Sequence, residues 1–227
     1  MLGGLFTILV SVILPVAVFI YACWKKSYVS FLLGVATFVV SQVTLRMPLL
    51  SVLEKNSTSY LFFSATQPIL FALFLGVTAA LIEEWGRYVT MRFLMKRRNL
   101  GHGVIFGLGH GGIEAILLVG IPMINAILMT PYLLTDSLSF ISGIERLSAM
   151  FLHVGLSLMI LQGVVKKQIR YVWIAIILHT IVNASIGVIS YYVPTNLSLY
   201  IIEGFIVMMG LIMLTYSFVV RRKGLLR

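Results

Sequence analysis

Two adjacent glutamates, Glu83 and Glu84, lie in a stretch of the chain that is otherwise almost entirely apolar. The whole sequence has 227 residues and only seven acidic side chains, so two neighbouring carboxylates in such a stretch are unusual. Placing one charged side chain at the centre of a bilayer costs about 3 kcal/mol on insertion scales, unless partners compensate. A pair of this kind therefore indicates a functional site.

Three other apolar stretches each carry one histidine. Together with the Glu83 stretch this makes four, and in each one polar residues lie four or eight positions apart, which places them on one face of a helix. The sets are Glu83 and Arg87; Phe106, His110 and Glu114; Glu145, Ala149 and His153; and His179 and Asn183. Each set presents its polar groups in one direction, which we expect to point away from lipid.

These residue types suit the hydrolysis of a peptide bond by an activated water. A glutamate in a site of low dielectric constant can act as a base toward water. Histidine and asparagine can donate hydrogen bonds to the oxyanion that develops during the reaction. The sequence has no G-x-S-x-G motif, and its one aspartate, Asp136, falls in a predicted outer loop. A serine-hydrolase elbow and a paired-aspartate protease are therefore excluded.

The same side chains could also hold a catalytic zinc ion, which needs three protein ligands and one open position. The candidate ligands are Glu83, His110, Glu114, His153 and His179. The H-E-x-x-H motif is absent, and His110-x-x-x-Glu114 is only a loose analogue of it. We therefore favour a metal-free mechanism, while metal-dependent hydrolysis stays open as the alternative.

Composition places these residues in a membrane. The chain is 60% hydrophobic and 11% charged, whereas a soluble domain is about 25% charged. We predict an all-α polytopic membrane bundle that forms one transmembrane domain over residues 1–227, with the catalytic helices within about 67–190. Apolar runs near 20 residues long predict seven helices. These lie near 3–24, 28–47, 67–91, 102–129, 144–165, 170–190 and 197–220.

The net charge of +10 is distributed in short groups, and 13 of the 17 basic residues follow the first, third, fifth and seventh predicted helices. By the positive-inside rule these loops are cytoplasmic, so the N-terminus is predicted outside and the C-terminus inside. The groups form no continuous basic stripe interleaved with aromatic residues, which excludes a nucleic-acid partner. The one cysteine, Cys23, excludes an internal disulfide and a multi-cysteine metal site.

Depth along the helices brings the ionisable groups together. At 1.5 Å per residue, Glu83 and Glu84 lie roughly 12 Å from the inner end of the third predicted helix. His110 and His179 lie at a similar depth from the same side, and His153 lies near mid-membrane. Four helices therefore carry ionisable groups to one layer, slightly cytoplasmic of centre. We expect the reacting water to be reached from the cytoplasmic half of the membrane.

Glycines surround His110 and form a stripe of small residues at Gly103, Gly107 and Gly111. This spacing permits close approach of a second helix, and the glycines around His110 could equally let a substrate or water approach the backbone. The local sequence also fits G-x-G-x-x-G, but no strand precedes it and no acidic ribose partner follows, so a dinucleotide site is excluded.

The order of these motifs resembles that of the CAAX-endopeptidase-like (CPBP/PrsW) superfamily of intramembrane proteases. The motifs are Glu83-Glu84-x-x-Arg87, Phe106-x-x-x-His110 and His179-x-x-x-Asn183. Within that superfamily, two further segments resemble the YhfC group of bacterial membrane peptidases. These segments are G-H-G-G-I-E at 109–114 and Glu145-Arg146-x-x-Ala149-x-x-x-His153.

The resemblance implies an intramembrane endopeptidase of a bacterial cell membrane, acting on a peptide or membrane-protein substrate. It implies that Glu83 activates water, that His110 shares or orients this water, and that His179 and Asn183 form the oxyanion hole. Glu84 and Arg87 would orient the base and balance charge. The remaining motif residues would be supporting positions: Phe106, Glu114, Glu145, Arg146 and His153.

Other interpretations of the same residues stay open. Chains of glutamate and histidine also relay protons in transporters, and a membrane scaffold without catalysis is a further possibility. Glu83 and Glu84 could pair with Arg87 or Arg146 only to fix the helix register. Glu145 and Arg146 could form a shallow ion pair, and His153 could be only an interhelical hydrogen-bond donor.

Overall fold

The structure is a computed structural model that describes residues 2–130 and 135–226. Those residues form helices and no strand, and seven of the helices are long and apolar enough to cross a membrane. We label them α1 to α7: Leu2–Trp24, Tyr28–Asn56, Pro68–Leu94, Leu100–Met129, Asp136–Lys166, Arg170–Tyr192 and Thr195–Arg222. The predicted all-α polytopic membrane bundle is confirmed.

Helix α2 continues to Asn56, although the sequence predicted an end near residue 47. It passes through a π-helical segment, Val39–Arg46, immediately before Pro48. In a regular α-helix the proline ring would clash with the carbonyl four residues back, and the wider π turn changes which carbonyls are bonded upstream of the proline, so the chain continues as a helix. A short helix, Thr58–Thr66, then connects α2 to α3.

Helix α5 begins at Asp136, eight residues earlier than predicted, so Asp136 lies in a helix and not in a loop. Packing against α1 explains the extension. The backbone N–H of Gly3 donates to Asp136 Oδ1 over 2.7 Å, and the rings of Phe6 and Phe140 stack with their centroids 4.5 Å apart. These tertiary contacts stabilise a polar first turn that local sequence alone assigns to a loop.

Helix α5 is the central helix of the bundle. Its most apolar stretch is 83% buried, whereas the corresponding stretches of the other six helices are 39% buried or less. It packs against α1, α4, α6 and α7, while α3 pairs with α6 and α2 pairs with α4. Any group that α5 carries at mid-depth is therefore enclosed by other helices and shielded from lipid.

The two ends of the bundle differ in charge. Helices α1, α3, α5 and α7 finish at one end, which we call the basic end. There Lys26, Lys96 and Arg97 line one cavity, and Lys166 lies near the Tyr171 hydroxyl. We call the other end, where α2, α4 and α6 finish, the opposite end.

The glycine stripe of α4 faces α5, as the spacing predicted. A Cβ atom added at Gly107 would lie 2.6 Å from Val154 Cα, and one at Gly111 would lie 3.0 Å from His153 Cδ2. The absence of side chains therefore lets the backbone of α5 approach α4 beside His153.

Gly107→Ala is expected to destabilise the protein by about 1–3 kcal/mol, because the new methyl group meets backbone that can only move with its helix. Unfolding in detergent, followed by circular dichroism, measures the change. The matched control is Gly101→Ala in the same helix, where the nearest atom to the added Cβ is Asn99 Oδ1 at 3.7 Å. Equal stability of the two variants would contradict close packing at Gly107.

Candidate functional site

Helix α3 buries three ionisable side chains on one face. Glu83, Glu84 and Arg87 are all 2% exposed or less. Arg87 Nη1 lies 2.7 Å from Glu84 Oε1, and Nη2 lies 3.4 Å from Glu83 Oε2. The spacings of three and four residues bring these groups together on a single helix. Arg87 therefore compensates both carboxylates, and Arg146 contacts other partners.

His110 of α4 contacts Glu83 directly. Its Nε2 atom lies 2.9 Å from Glu83 Oε2, and the ring of Phe38 packs edge-on against the imidazole at 5.3 Å. His110 is fully buried, and its Nδ1 atom has no hydrogen-bond partner within the described part of the chain. The Glu83 and His110 side chains thus form one hydrogen-bonded unit, with a spare nitrogen on the imidazole.

His153 of α5 lies between Arg87 and Glu114. Arg87 Nη2 is 2.7 Å from His153 Nδ1, and Glu114 Oε2 is 2.6 Å from His153 Nε2. Because a guanidinium can only donate, Nδ1 accepts this bond and the ring proton lies on Nε2. The two neighbours therefore fix both the tautomer and the orientation of the imidazole.

Glu114 connects His153 to a second buried ion pair. Arg146 Nη1 lies 3.1 Å from Glu114 Oε1, and the Arg146 guanidinium also donates to both carboxylate oxygens of Glu145. The three side chains are between 10% and 15% exposed. Glu145 and Arg146 are thus more than a shallow pair, because they extend the polar network from α5 to α4.

His179 of α6 contacts the second glutamate of α3. Its Nδ1 atom lies 2.7 Å from Glu84 Oε1, which also accepts the bond from Arg87. Asn183, one turn further along α6, lines the same cavity as His179. Glu84 is therefore placed to orient His179, whereas the resemblance suggested that it supports the base Glu83.

A cavity of about 430 Å³ gives access to this cluster. Glu83, Glu114, His153, His179 and Asn183 line it, whereas His110, Glu84 and Arg87 do not. Gln42, Arg46, Glu145 and Arg146 line it as well, so the polar groups that face the cavity are three carboxylates, two imidazoles, two amides and two guanidinium groups. Arg87 and Glu84 lie behind them and set their positions.

The cavity extends toward the opposite end of the bundle. Its further lining comes from the second half of α2 and α4 and the first part of α5, at Arg46, Leu118 and Arg146. The expectation that the site is reached from the half of the membrane carrying the basic loops is therefore wrong for this cavity. Depth counting located the site but gave no information about which side of it is open.

Two functional contacts come from α2, which the sequence analysis did not assign to the site. Gln42 Nε2 donates to Glu83 Oε1, and Arg46 Nη1 donates to Gln42 Oε1 over 3.2 Å. A signal was present, because Gln42 and Arg46 are polar, lie four residues apart and occur in an apolar segment. The predicted end of α2, near residue 47, falls beside Arg46 and obscures this spacing.

Phe106 is the predicted supporting residue that lies away from the cavity. It is fully buried and belongs to the main apolar core of the bundle. Phe106 therefore packs in the core one helical turn before His110 on α4, and has no direct part in the lining of the cavity.

Within the described ranges, one group of three side chains could hold a metal ion. Glu83, His110 and His153 each offer a ligand atom within 4.8 Å of the others, and all three are buried. One carboxylate and two imidazoles are a ligand set found in catalytic zinc sites. Glu114 accepts the Nε2–H of His153 as an outer-shell partner would, and an ion on His153 Nδ1 would take the place of Arg87 there. His110 has an unpartnered nitrogen. The residues present therefore fit such an ion.

The chain is similar to a known family and to a protein of known sequence. Residues 6–139 and 132–207 match the family described as YhfC intramembrane metalloprotease. The uncharacterized membrane protein YhfC of Bacillus subtilis (strain 168) is 29% identical over 208 residues, covering 77% of this chain and 79% of that protein. No solved structure gives a significant match.

Proposed function

Since the chain belongs to the YhfC intramembrane metalloprotease family, we propose that it hydrolyses peptide bonds of membrane-embedded substrates. The proposed site is the group formed by Glu83, His110 and His153, which we call the Glu83 cluster. The observation that carries this proposal is the convergence of Glu83, His110 and His153 beside a cavity that His179 and Asn183 also line. Such an arrangement offers a base, a possible metal site and hydrogen-bond donors within one enclosed space.

Glu83 is the proposed base of the metal-free mechanism. Gln42 and His110 hold its two carboxylate oxygens, so the carboxylate has a fixed orientation at the cavity wall. It takes a proton from water as the water oxygen bonds to the carbonyl carbon of the scissile peptide. The same proton then passes to the amide nitrogen, the C–N bond breaks, and the products are a carboxylate and an amine.

His179 and Asn183 are the proposed oxyanion donors. Glu84 accepts a hydrogen bond from His179 Nδ1, so Nε2 is the nitrogen available to the cavity. With both nitrogens protonated, His179 donates one bond to Glu84 and the other to the oxyanion. Asn183 adds an amide donor from the next turn. Donors that are held in place before the reaction stabilise the transition state without reorganisation.

A zinc ion, where bound, would be held by Glu83, His110 and His153, and would supply a more acidic water and a positive charge near the carbonyl oxygen. Glu83 would then be a ligand. In that case Glu114 becomes the proposed proton acceptor, because it lines the same cavity and contacts His153.

We further propose that the basic end faces the cytoplasm, as the distribution of lysine and arginine favours. The N-terminus then lies outside and the C-terminus inside. Because the cavity extends toward the opposite end, cleavage would occur in the outer half of the membrane.

The proposal predicts cleavage and metal content that depend on the same residues. Purified protein in proteoliposomes is expected to cleave a transmembrane peptide, with products identified by mass spectrometry, and to contain about one zinc ion per chain. The double variant His110→Ala/His153→Ala is expected to lose both. His102→Ala is the matched control, because His102 bonds Ser30 outside the cluster, and it should keep both.

Three outcomes would decide between the alternatives. Cleavage by protein without metal would support metal-free catalysis by Glu83. Zinc at stoichiometric level in His110→Ala/His153→Ala would contradict the assigned ligands. Proton flux through the same proteoliposomes, with no product from any peptide, would favour a proton-coupled transporter over a peptidase.

A further inference from the structure

A second polar cavity lies at the basic end, away from the Glu83 cluster. It has a volume of about 590 Å³ and lies between the α1–α2 turn, the end of α3 and the start of α4. Lys26, Lys96, Arg97 and the imidazole of His102 line it, and among the residues that the structure describes no acidic side chain does. The cavity therefore has the charge of a binding site for an anion.

The local backbone holds these residues around the cavity. Lys26 adopts a left-handed conformation with φ of 53°, which turns the chain sharply between α1 and α2. His102 Nδ1 lies 2.8 Å from Ser30 Oγ, which ties the first turn of α4 to α2. The amino-terminal end of α4 adds the positive end of a helix dipole.

An apolar groove continues from this cavity along the outside of the bundle. It has a volume of about 410 Å³, lies between α2 and α3, and shares Leu33 and Leu94 with the basic cavity. On α2 the groove runs from Leu33 to Leu45, which is about 18 Å along the helix axis. One leaflet of the hydrocarbon core is about 15 Å thick, half of the whole core.

We propose that the basic cavity and the apolar groove together bind one anionic phospholipid. The phosphate group would lie among Lys26, Lys96 and Arg97, and one acyl chain would lie in the groove toward Leu45. Charge complementarity argues for an anionic head group, because basic pockets between membrane helices attract such lipids. The continuous apolar groove argues for a lipid, since a soluble anion would leave it unfilled.

This site is independent of the proposed peptidase chemistry, and it lies against the helices that position that chemistry. Thr37 and Ser41 of α2 line the groove, and Ser41 immediately precedes Gln42, the residue that bonds Glu83. The groove and the Glu83 cluster thus occupy two sides of the same pair of helices.

The test is the retention of lipid by the full-length protein, measured by native mass spectrometry after delipidation and incubation with defined lipids. Wild-type protein is expected to retain one phosphatidylglycerol in preference to phosphatidylcholine. Lys96→Gln/Arg97→Gln should weaken this retention by roughly tenfold or more, since each cation near the surface contributes a sizeable part of the attraction. Ala36→Trp, which fills the groove, should also reduce it.

The matched control is Arg221→Gln/Arg222→Gln, which removes the same charge from the same end of the bundle, outside the cavity lining. It should retain lipid as the wild type does. An equal loss in this control would overturn the proposal in favour of a general attraction of anionic lipid to the basic end. Displacement of the lipid by glycerol phosphate as efficiently as by phosphatidylglycerol would also overturn it, because the groove would then contribute nothing.

Discussion

Replacing Glu83 with glutamine is expected to lower the rate of peptide cleavage by roughly 10²–10⁴-fold, the usual contribution of a positioned base. Glutamine has nearly the same shape and can still bond His110 and Gln42, so the bundle should remain folded. It cannot take a proton from water, and it is a poor zinc ligand. The turnover number and KM are measured on a transmembrane peptide, with the loss expected in the turnover number.

Glu54→Gln is the control for this substitution. Glu54 is an exposed carboxylate near the end of α2, outside the cavity that gives access to Glu83. Its variant should cleave at the wild-type rate. A Glu83→Gln protein that also cleaves at the wild-type rate would show that the base is another group, and Glu114 would then be tested in the same way.

Arg87→Met is expected to cost the largest amount of stability of any single change in the site, about 3–5 kcal/mol. Arg87 is fully buried and contacts Glu83, Glu84 and His153. Its removal leaves two adjacent carboxylates in an enclosed space without a cation. Denaturant unfolding in detergent micelles measures the free-energy change.

Two companion variants separate charge from packing. Arg92→Met removes an exposed arginine at the end of the same helix, where ion pairs contribute about 1 kcal/mol or less. Arg87→Met/Glu84→Gln removes one of the uncompensated carboxylates and should recover part of the lost stability. If the double variant is no more stable than Arg87→Met, the ion pair is not the source of the effect.

Much of the architecture follows from the sequence, because its cause is local. Apolar runs of membrane length predicted seven helices, and residues spaced four apart predicted which side chains share a face. Depth counting then placed His110, His153 and His179 near Glu83, and the structure brings these residues into one network. The glycine spacing on α4 likewise predicted a close approach, which α5 supplies.

Other features depended on tertiary contacts that no local pattern contains. The first turn of α5 is polar and forms because α1 packs on it through Gly3 and Phe6. The contact of Gln42 with Glu83 joins residues 41 positions apart on different helices. The direction in which the cavity opens depends on how seven helices lean against one another, and spacing along one helix says nothing about that.

The π-helical segment of α2 carries Gln42, which bonds Glu83. The direction of this side chain therefore depends on the number of residues in the segment as well as on which residues they are. A π turn holds one more residue than an α turn, so everything beyond it is rotated by about 100° relative to an uninterrupted α-helix. Gln42 and Arg46 lie within this segment. Alignments of related chains must therefore be read with attention to single-residue gaps between 39 and 46. A relative with the same amino acids and one residue fewer would direct them to a different face.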